Sequence, residues 1–340
     1  MYETPYHDHP LNAYRFLVTG GAGFIGSNLV EYLLKYGAGK VRILDNFSTG
    51  YRKNVEKFFT NPAFELAEGD IRDPETCKKA VSGMDYVSHQ AALGSVPRSI
   101  HDPVTTNEVN ISGFLNMLVA VRDEKSIKKM VYAASSSTYG DSKELPKKEG
   151  NEGNPLSPYA VTKLVNELYA DIFSRVYGLH TLGLRYFNIF GPRQDPKGAY
   201  AAVIPLFMQA AIDRQPPKIN GDGETSRDFT FVENAVQANV KALLNTKGLP
   251  HHEAVNIACG ERTTLNQLWD CIQEVSGYHS KAIYGPERAG DVRHSLADIS
   301  KACQLFGYDP QWKIKEGLKV AFEFYKETAR NSAGDRKTER

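Results

Sequence analysis

Short apolar runs, each followed by a stretch with helical spacing, recur along this chain and constrain its fold more than any other feature. YRFLVTG (14–20), KVRILD (40–45), AFELAEGD (63–70), MDYVSHQ (84–90), KKMVYAASS (128–136) and HTLGLRY (180–186) are brief, rich in branched residues and closed by turn formers. That is the pattern of strands buried on both faces. Between them, stretches such as FIGSNLVEYLLKYG and ISGFLNMLVAVRDE repeat apolar residues every three or four positions, as amphipathic helices do. The alternation predicts an α/β fold, a doubly wound parallel sheet with helices on both faces.

After Asn188 the texture changes to longer loops rich in Gly and Pro, as in IFGPRQDPKGAYAAVIP and KINGDGETSRDF. A helical run over 232–245 and a strand-like AVNIA (254–258) then resume the first pattern. We expect two interleaved units: residues 1–187 plus about 229–260 in a nucleotide-binding domain of the Rossmann kind, and 188–228 plus 261–330 in a smaller α/β lobe that binds substrate. The polar end, TARNSAGDRKTER, is expected to be disordered from residue 331 onward.

With 41 Lys plus Arg against 40 Asp plus Glu, the 340-residue chain has no charge excess to attract nucleic acid or an anionic membrane. Cys77, Cys259, Cys271 and Cys303 are scattered, with no C-x-x-C and no His at ligand spacing, so neither a disulfide framework nor a metal site is expected. No run approaches the length of a membrane span, and MYETPYHDHPLNAY has neither the basic nor the apolar region of a signal peptide. The expected location is the cytoplasm.

LVTGGAGFIGSNLV places Gly20, Gly23 and Gly26 where the first strand meets its helix. The first glycine permits the tight turn, the second lets the backbone approach a pyrophosphate, and the third lets helix and strand pack closely. The phosphates then rest on the helix N-terminus. Asp45 ends the second strand at the distance of a ribose-binding acid. A carboxylate there accepts from a 2′-hydroxyl and repels a 2′-phosphate, which favours NAD over NADP. Asp70, closing the third strand, either lies near the adenine or caps the helix of RDPETCKKA. His89, alone between apolar neighbours, reads as a packed core residue.

In NPLSPYAVTKLVNELYADIF (154–173), Ser157 and Pro158 open a helix, so Tyr159 and Lys163 fall one turn apart on one face. A lysine ammonium near a phenol favours phenolate and brings its pKa toward working pH. The fifth strand ends in Ser135, Ser136, Ser137 and Thr138, and that end of an open α/β sheet borders the ligand crevice. A serine there can share a substrate oxygen with Tyr159.

Together, TGGAGFIG, LDNFSTG, GDIRD, HQAAL, SSSTYG, YAVTK, LRYFNIFGPRQ and RDFTFVENAV make residues 14–330 resemble the extended short-chain dehydrogenase/reductase family. Within it, QAALGSVPRS, AASSSTYG, GAYAAVIP and INGDGETSRDF are similar to the bacterial 4-epimerases of UDP-N-acetylglucosamine and UDP-N-acetylgalactosamine. The resemblance implies that Phe24 and Ile25 join the glycines at the cofactor, that Asn46, Ser48, Thr49 and Gly50 surround the adenosine ribose with Asp45, and that Asp70 and Ile71 meet the adenine. It implies that Gln90, Ala91, Ala92, Asn110 and Tyr186 line the cofactor. Tyr159 would be the base, Lys163 would hold the nicotinamide ribose, and Ser135 or Ser136 would hold the sugar oxygen; the motif is one residue shorter than the usual form, which leaves that choice open.

For the substrate, guanidinium forks suit phosphate oxygens. By resemblance Arg227 and Arg288 bind the diphosphate, Asn188 a phosphate and Asp291 a uridine ribose hydroxyl. Ser137, Val203, Lys218 and Ile219 complete that site. Ser295 stands where the family has a bulky Tyr in enzymes confined to glucose and galactose forms, and a small residue where a 2-acetamido group fits. The resemblance also implies a homodimer, joined through helices near 104–121 and 158–177. A glucuronate epimerase, with Arg98 on the sugar carboxylate, is the alternative within the fold, and an NAD-sensing binding protein without catalysis is the alternative outside it. A 4,6-dehydratase would carry an Asp-Glu pair where SSSTYG has none.

Overall fold

The computed structural model describes residues 1–196, 201–244, 251–287 and 293–338. Its centre is a seven-stranded sheet built from β1 (Arg15–Thr19), β2 (Lys40–Asp45), β3 (Phe64–Glu68), β4 (Tyr86–His89), β5 (Lys129–Ser135), β6 (Thr181–Tyr186) and a late strand, His252–Ile257. From one edge to the other, the order is His252–Ile257, β6, β5, β4, β1, β2, β3. Every pairing in it is parallel. The order turns back between β1 and β4, and there the carboxyl ends of the strands open a crevice.

Successive side chains of each strand enter opposite cores. Phe16 and Val18 of β1 join Leu29 and Leu33 of helix α1 (Phe24–Lys35) and residues Val236 and Val240 of a later helix. Leu17, between them, faces Met117 and Leu118 on the other side of the sheet. That other layer contains α2 (Pro74–Val81), then α3 (Val96–His101), α4 (Pro103–Asn107), a π-helical turn at Glu108–Gly113, α5 (Phe114–Asp123) and α6 (Pro158–Tyr177). Both faces are therefore covered, which explains why the strands read as continuous apolar runs.

A third core lies beyond β6. It joins Phe190 to Ile204 and Phe207 of α7 (Val203–Ile212), Phe231, Leu268 and Trp269 of α9 (Leu265–Ser276), and Leu318 and Phe322 of α11 (Ile314–Thr338). Between these lies α8 (Val232–Leu244), which returns to the main sheet and packs on α1. Helix α11 runs to Thr338, into the polar stretch that begins at residue 331. The stretch is polar, but it holds no proline and extends a helix anchored by Leu318, Ala321, Phe322 and Tyr325. No helix among the described residues is long and apolar enough to cross a membrane.

Candidate active site

A cavity of about 420 Å³ opens where the strand order reverses, with Gly20, Gly23, Phe24, Ile25 and Gly26 along one wall. Gly20 has φ +66°, and a Cβ there would lie 2.7 Å from the Ala91 nitrogen. At Gly26 a Cβ would meet the Gly20 carbonyl oxygen at 2.2 Å, so only glycine lets α1 start this close to β1. No side chain caps α1 at Gly23 and no acid occupies its first turn. Its opening N–H groups thus remain a cradle for an anion.

Asp45, Asn46, Ser48, Thr49 and Gly50 form the next part of the wall. Asp45 is buried and accepts from the backbone N–H of Ala22 at 2.9 Å and of Phe47 at 2.8 Å. Burial raises its pKa, and those two hydrogen bonds oppose the rise. Asp70 and Ile71 also line the cavity. Arg72 pairs with Asp70 at 2.8 Å and holds its carboxyl down at about 2. Asp70 is not the cap of α2: Asp73 accepts from the N–H groups of Glu75 and Thr76, since the chain makes one more turn before the helix begins.

Gln90, Ala91, Ala92 and Tyr186 line the far side. The Tyr186 hydroxyl donates to Gln90 Oε1 at 3.1 Å and accepts from Asn239 at 2.7 Å, which fixes the Gln90 amide. Asn110 is not on this wall. It sits in the π-helical turn, accepts from Leu93 N–H at 2.8 Å and donates to Leu93 O and to Thr162 Oγ1, both at 3.1 Å. Its amide is thus spent on fixing the loop beside the cavity.

The reacting groups meet at the inner end. Ser157 caps α6 by accepting from Ala160 N–H at 3.1 Å, and Pro158 follows it. Tyr159 and Lys163 consequently share one helix face, and both line the cavity with Ser135. The Ser135 hydroxyl is near enough to the Tyr159 phenol to act on its pKa, and Ser137 donates to Ser135 Oγ at 2.9 Å. Ser136 and Ser137 do not line this cavity, so the structure brings Ser135 rather than Ser136 to the phenol. Burial pushes the Tyr159 phenol above its ordinary value, and the Ser135 hydroxyl pulls the other way. Burial also pushes Lys163 down to about 8, while Glu167 one turn on opposes this. Lys163 Nζ donates to Ala133 O at 2.7 Å and stands 5.9 Å from the Tyr159 ring centroid. His89 is buried in the core as expected, bonded to Thr19 Oγ1 at 2.8 Å.

A second cavity, about 690 Å³, shares Asn188 and Ile189 with the first. Val203, Lys218, Ile219 and Arg227 line it. Arg288 and Asp291 lie outside the described residues. Ser295 lines neither cavity; its N–H donates to Ser226 O at 3.0 Å. Sequence reasoning passed over Ser95, Val96, Pro97 and Arg293 in the second cavity, and Tyr51, Arg193 and Asp195 in the first. The signal was available for some of these, since SVPRS and GPRQD were part of quoted motifs to which only other residues were assigned.

The glycine cradle, the uncapped helix start and the buried acid at the end of β2 fit a dinucleotide with a pyrophosphate and free ribose hydroxyls. Known proteins agree. A curated relative from Methanocaldococcus jannaschii, named a putative UDP-glucose 4-epimerase, is 40% identical over 316 residues, covering 92% of this chain and 99% of its own. The solved UDP-N-acetylglucosamine 4-epimerase of Methanobrevibacter ruminantium, in complex with UDP-N-acetylmuramic acid, is 37% identical with a TM-score of 0.87, over 93% of this chain and 99% of its own. The UDP-glucuronic acid 4-epimerase of Bacillus cereus, with UDP-glucuronic acid and NAD, is 29% identical with a TM-score of 0.85, over 92% and 99%. The pattern of the NAD dependent epimerase/dehydratase family matches residues 16–258. The chain belongs to that family, and its cofactor is NAD.

Proposed function

We propose that this protein is a UDP-sugar 4-epimerase that interconverts UDP-N-acetylglucosamine and UDP-N-acetylgalactosamine, with weaker activity on UDP-glucose and UDP-galactose. The observation that carries this reading is the placement of Tyr159, Ser135 and Lys163 in the wall of the cofactor cavity, which meets a second, larger cavity at Asn188. NAD, when bound in the cradle of Gly20, Gly23 and Gly26, would supply the hydride acceptor and donor for the sugar C4. The chain handles the proton. With the Lys163 ammonium and the positive nicotinamide ring offsetting its burial, Tyr159 would act as phenolate and take the proton of the 4-hydroxyl, while Ser135 beside it would hold the same oxygen. Lys163 adds a cation one turn away, tethered to Ala133 O, and would hold the nicotinamide ribose. Proton return from Tyr159 completes the cycle.

The second cavity would take the UDP-sugar. Arg227 and Lys218 supply cations for the diphosphate, and its volume is in the range that holds a ligand of this size. Ala201, Ala202 and Val203 keep part of the wall small, which suits a sugar that must turn and carries an acetamido group. Family resemblance for Arg288 and Asp291 supports the same substrate. For the glucuronate alternative, Arg98 was the candidate cation, but only its neighbours Ser95, Val96 and Pro97 line the cavity.

We infer a homodimer as well. Leu168, Ile172 and Val176 of α6 are exposed on one face, and Val104 of α4, a helix that packs on α6, is exposed as well. A second copy of the same helices would cover that face as a four-helix bundle. The deciding experiment incubates the purified protein with UDP-N-acetylglucosamine, UDP-glucose and UDP-glucuronate separately and resolves the products. Turnover of UDP-glucuronate alone would overturn the acetylated assignment, and absence of any turnover with NAD bound would favour the sensing protein.

A further inference from the structure

The start of α6 is held from two sides. Ser157 accepts from Ala160 N–H, but the N–H of Tyr159, one residue earlier, has no partner in its own helix. It donates at 3.0 Å to the hydroxyl of Ser99, sixty residues back in α3. Ser99 is fully buried, and its hydroxyl donates in turn to Val96 O at 2.7 Å. Val96 lines the second cavity with Ser95 and Pro97. Ser95 caps α3 at a φ of +113°, a conformation that side-chain-bearing residues rarely adopt. One hydroxyl therefore joins a strained segment in the wall of the larger cavity to the backbone of Tyr159.

We propose that Ser99 is a positioning residue that couples occupation of the second cavity to the placement of Tyr159. The proposal rests on the reading of Tyr159 as the base and of that cavity as the UDP-sugar site. A ligand pressing on Ser95, Val96 and Pro97 shifts the Val96 carbonyl, and Ser99 follows because it has no solvent to turn to. The amide of Tyr159 is held through the same oxygen, so a filled sugar site fixes the phenol in its place beside Ser135. Misplacing a reacting group by about 1 Å costs on the order of 10²-fold in rate. Removing the Ser99 hydroxyl also strands a part-buried N–H at the start of the helix.

The test compares Ser99→Ala, Ser99→Thr and Tyr159→Phe, each expressed per NAD-loaded site. Ser99→Ala is expected to lower kcat by roughly tenfold to a hundredfold with KM changed far less, and to move the rising limb of the kcat–pH profile upward as the Ser135 contact loosens. Ser99→Thr keeps the hydroxyl and should recover most of kcat and the original pH limb. A purely structural Ser99 would lower the melting temperature while leaving kcat per loaded site and the pH limb in place, and that result overturns the coupling. Tyr159→Phe separates the two readings: if it retains the wild-type rate, the base assignment fails, whereas its inactivity beside a normal Ser99→Ala sinks the coupling alone. Amide exchange on the wild-type holoenzyme covers the case in which Ser99→Ala does not fold. Exchange of the peptide carrying Tyr159 should slow when UDP-N-acetylglucosamine or UDP is added, and unchanged exchange at saturating nucleotide overturns the proposal.

Discussion

Lys163 Nζ lies 5.9 Å from the centre of the Tyr159 ring and gives a hydrogen bond to Ala133 O at 2.7 Å, so the cation is held by β5 rather than by the phenol it serves. Burial raises the Tyr159 pKa, and the Ser135 hydroxyl opposes the rise. The base is assembled by three segments, with the phenol on α6, the hydroxyl at the end of β5, and the ammonium fixed by the strand carbonyl.

Tyr159→Phe keeps the ring in its pocket and deletes the titrating oxygen. Loss of a general acid–base group should lower turnover by about 10²–10⁴-fold while NAD remains bound. A near-normal rate with bound cofactor would remove Tyr159 from the mechanism.

Gly26→Ala puts a Cβ 2.2 Å from the Gly20 carbonyl oxygen. Backbone cannot yield as a flexible side chain can, so α1 must move away from β1 and the cradle widens. We expect purified protein with much less bound NAD, and a stability loss of about 1–3 kcal/mol from overpacking. Cofactor content by absorbance and a denaturant titration read the two effects separately; full cofactor occupancy would count against the cradle.

Burial pushes His89 down to about 3, with the Lys163 charge acting in the same direction. In the unfolded chain the imidazole has its ordinary value near 6.5. Between these values the unfolded state binds a proton that the folded state refuses, so this contribution to stability is present above about 6.5 and is lost as pH falls toward 3. His89→Asn cannot titrate but can still meet Thr19 Oγ1. Relative to its own stability at pH 7, it should lose less on acidification than the wild type, as measured by urea midpoints at pH 7 and pH 4. Parallel losses in the two proteins would show that His89 does not set the acid response.

How legible the molecule is in its sequence depends on the range of the interactions. Each expected strand lies where β1 to β6 and His252–Ile257 are found, because a strand buried on both faces needs an unbroken apolar run that no other element needs. The glycine turn and the Tyr159–Lys163 face were equally readable, since each is fixed within a few residues. Asp70 was harder: an acid before a helix resembles a cap, and only the register of the turn shows that Asp73 takes that role. Asn110 looked like a cofactor contact, yet a π-helical turn aims its amide at Leu93. Ser99 and Arg193 act through partners far away in sequence, at Tyr159 and Glu31, and nothing local announces them.

The exposed face of α6 gives the last prediction. Leu168, Ile172 and Val176 follow one another at helical spacing, with 58%, 43% and 63% of their surfaces exposed, on the helix that carries Tyr159 and Lys163. Scattered apolar residues need no explanation, but a continuous stripe on a long helix does. Covering it with the same helix of a second copy gives a two-fold interface, and a stable one buries about 1,200–2,000 Å² in total. Leu168→Glu places a charge near the middle of that stripe. In a dimer it faces its own copy or apolar surface and should shift the protein to single chains at micromolar concentration, as seen by light scattering. In a monomer the same position faces water, where a substitution changes stability by only about 0.5 kcal/mol. The wild type should therefore scatter as two chains and the variant as one, while chemical denaturation of the separated chain shows a fold still intact. A wild type that scatters as one chain would leave the stripe to some other partner and end the homodimer proposal.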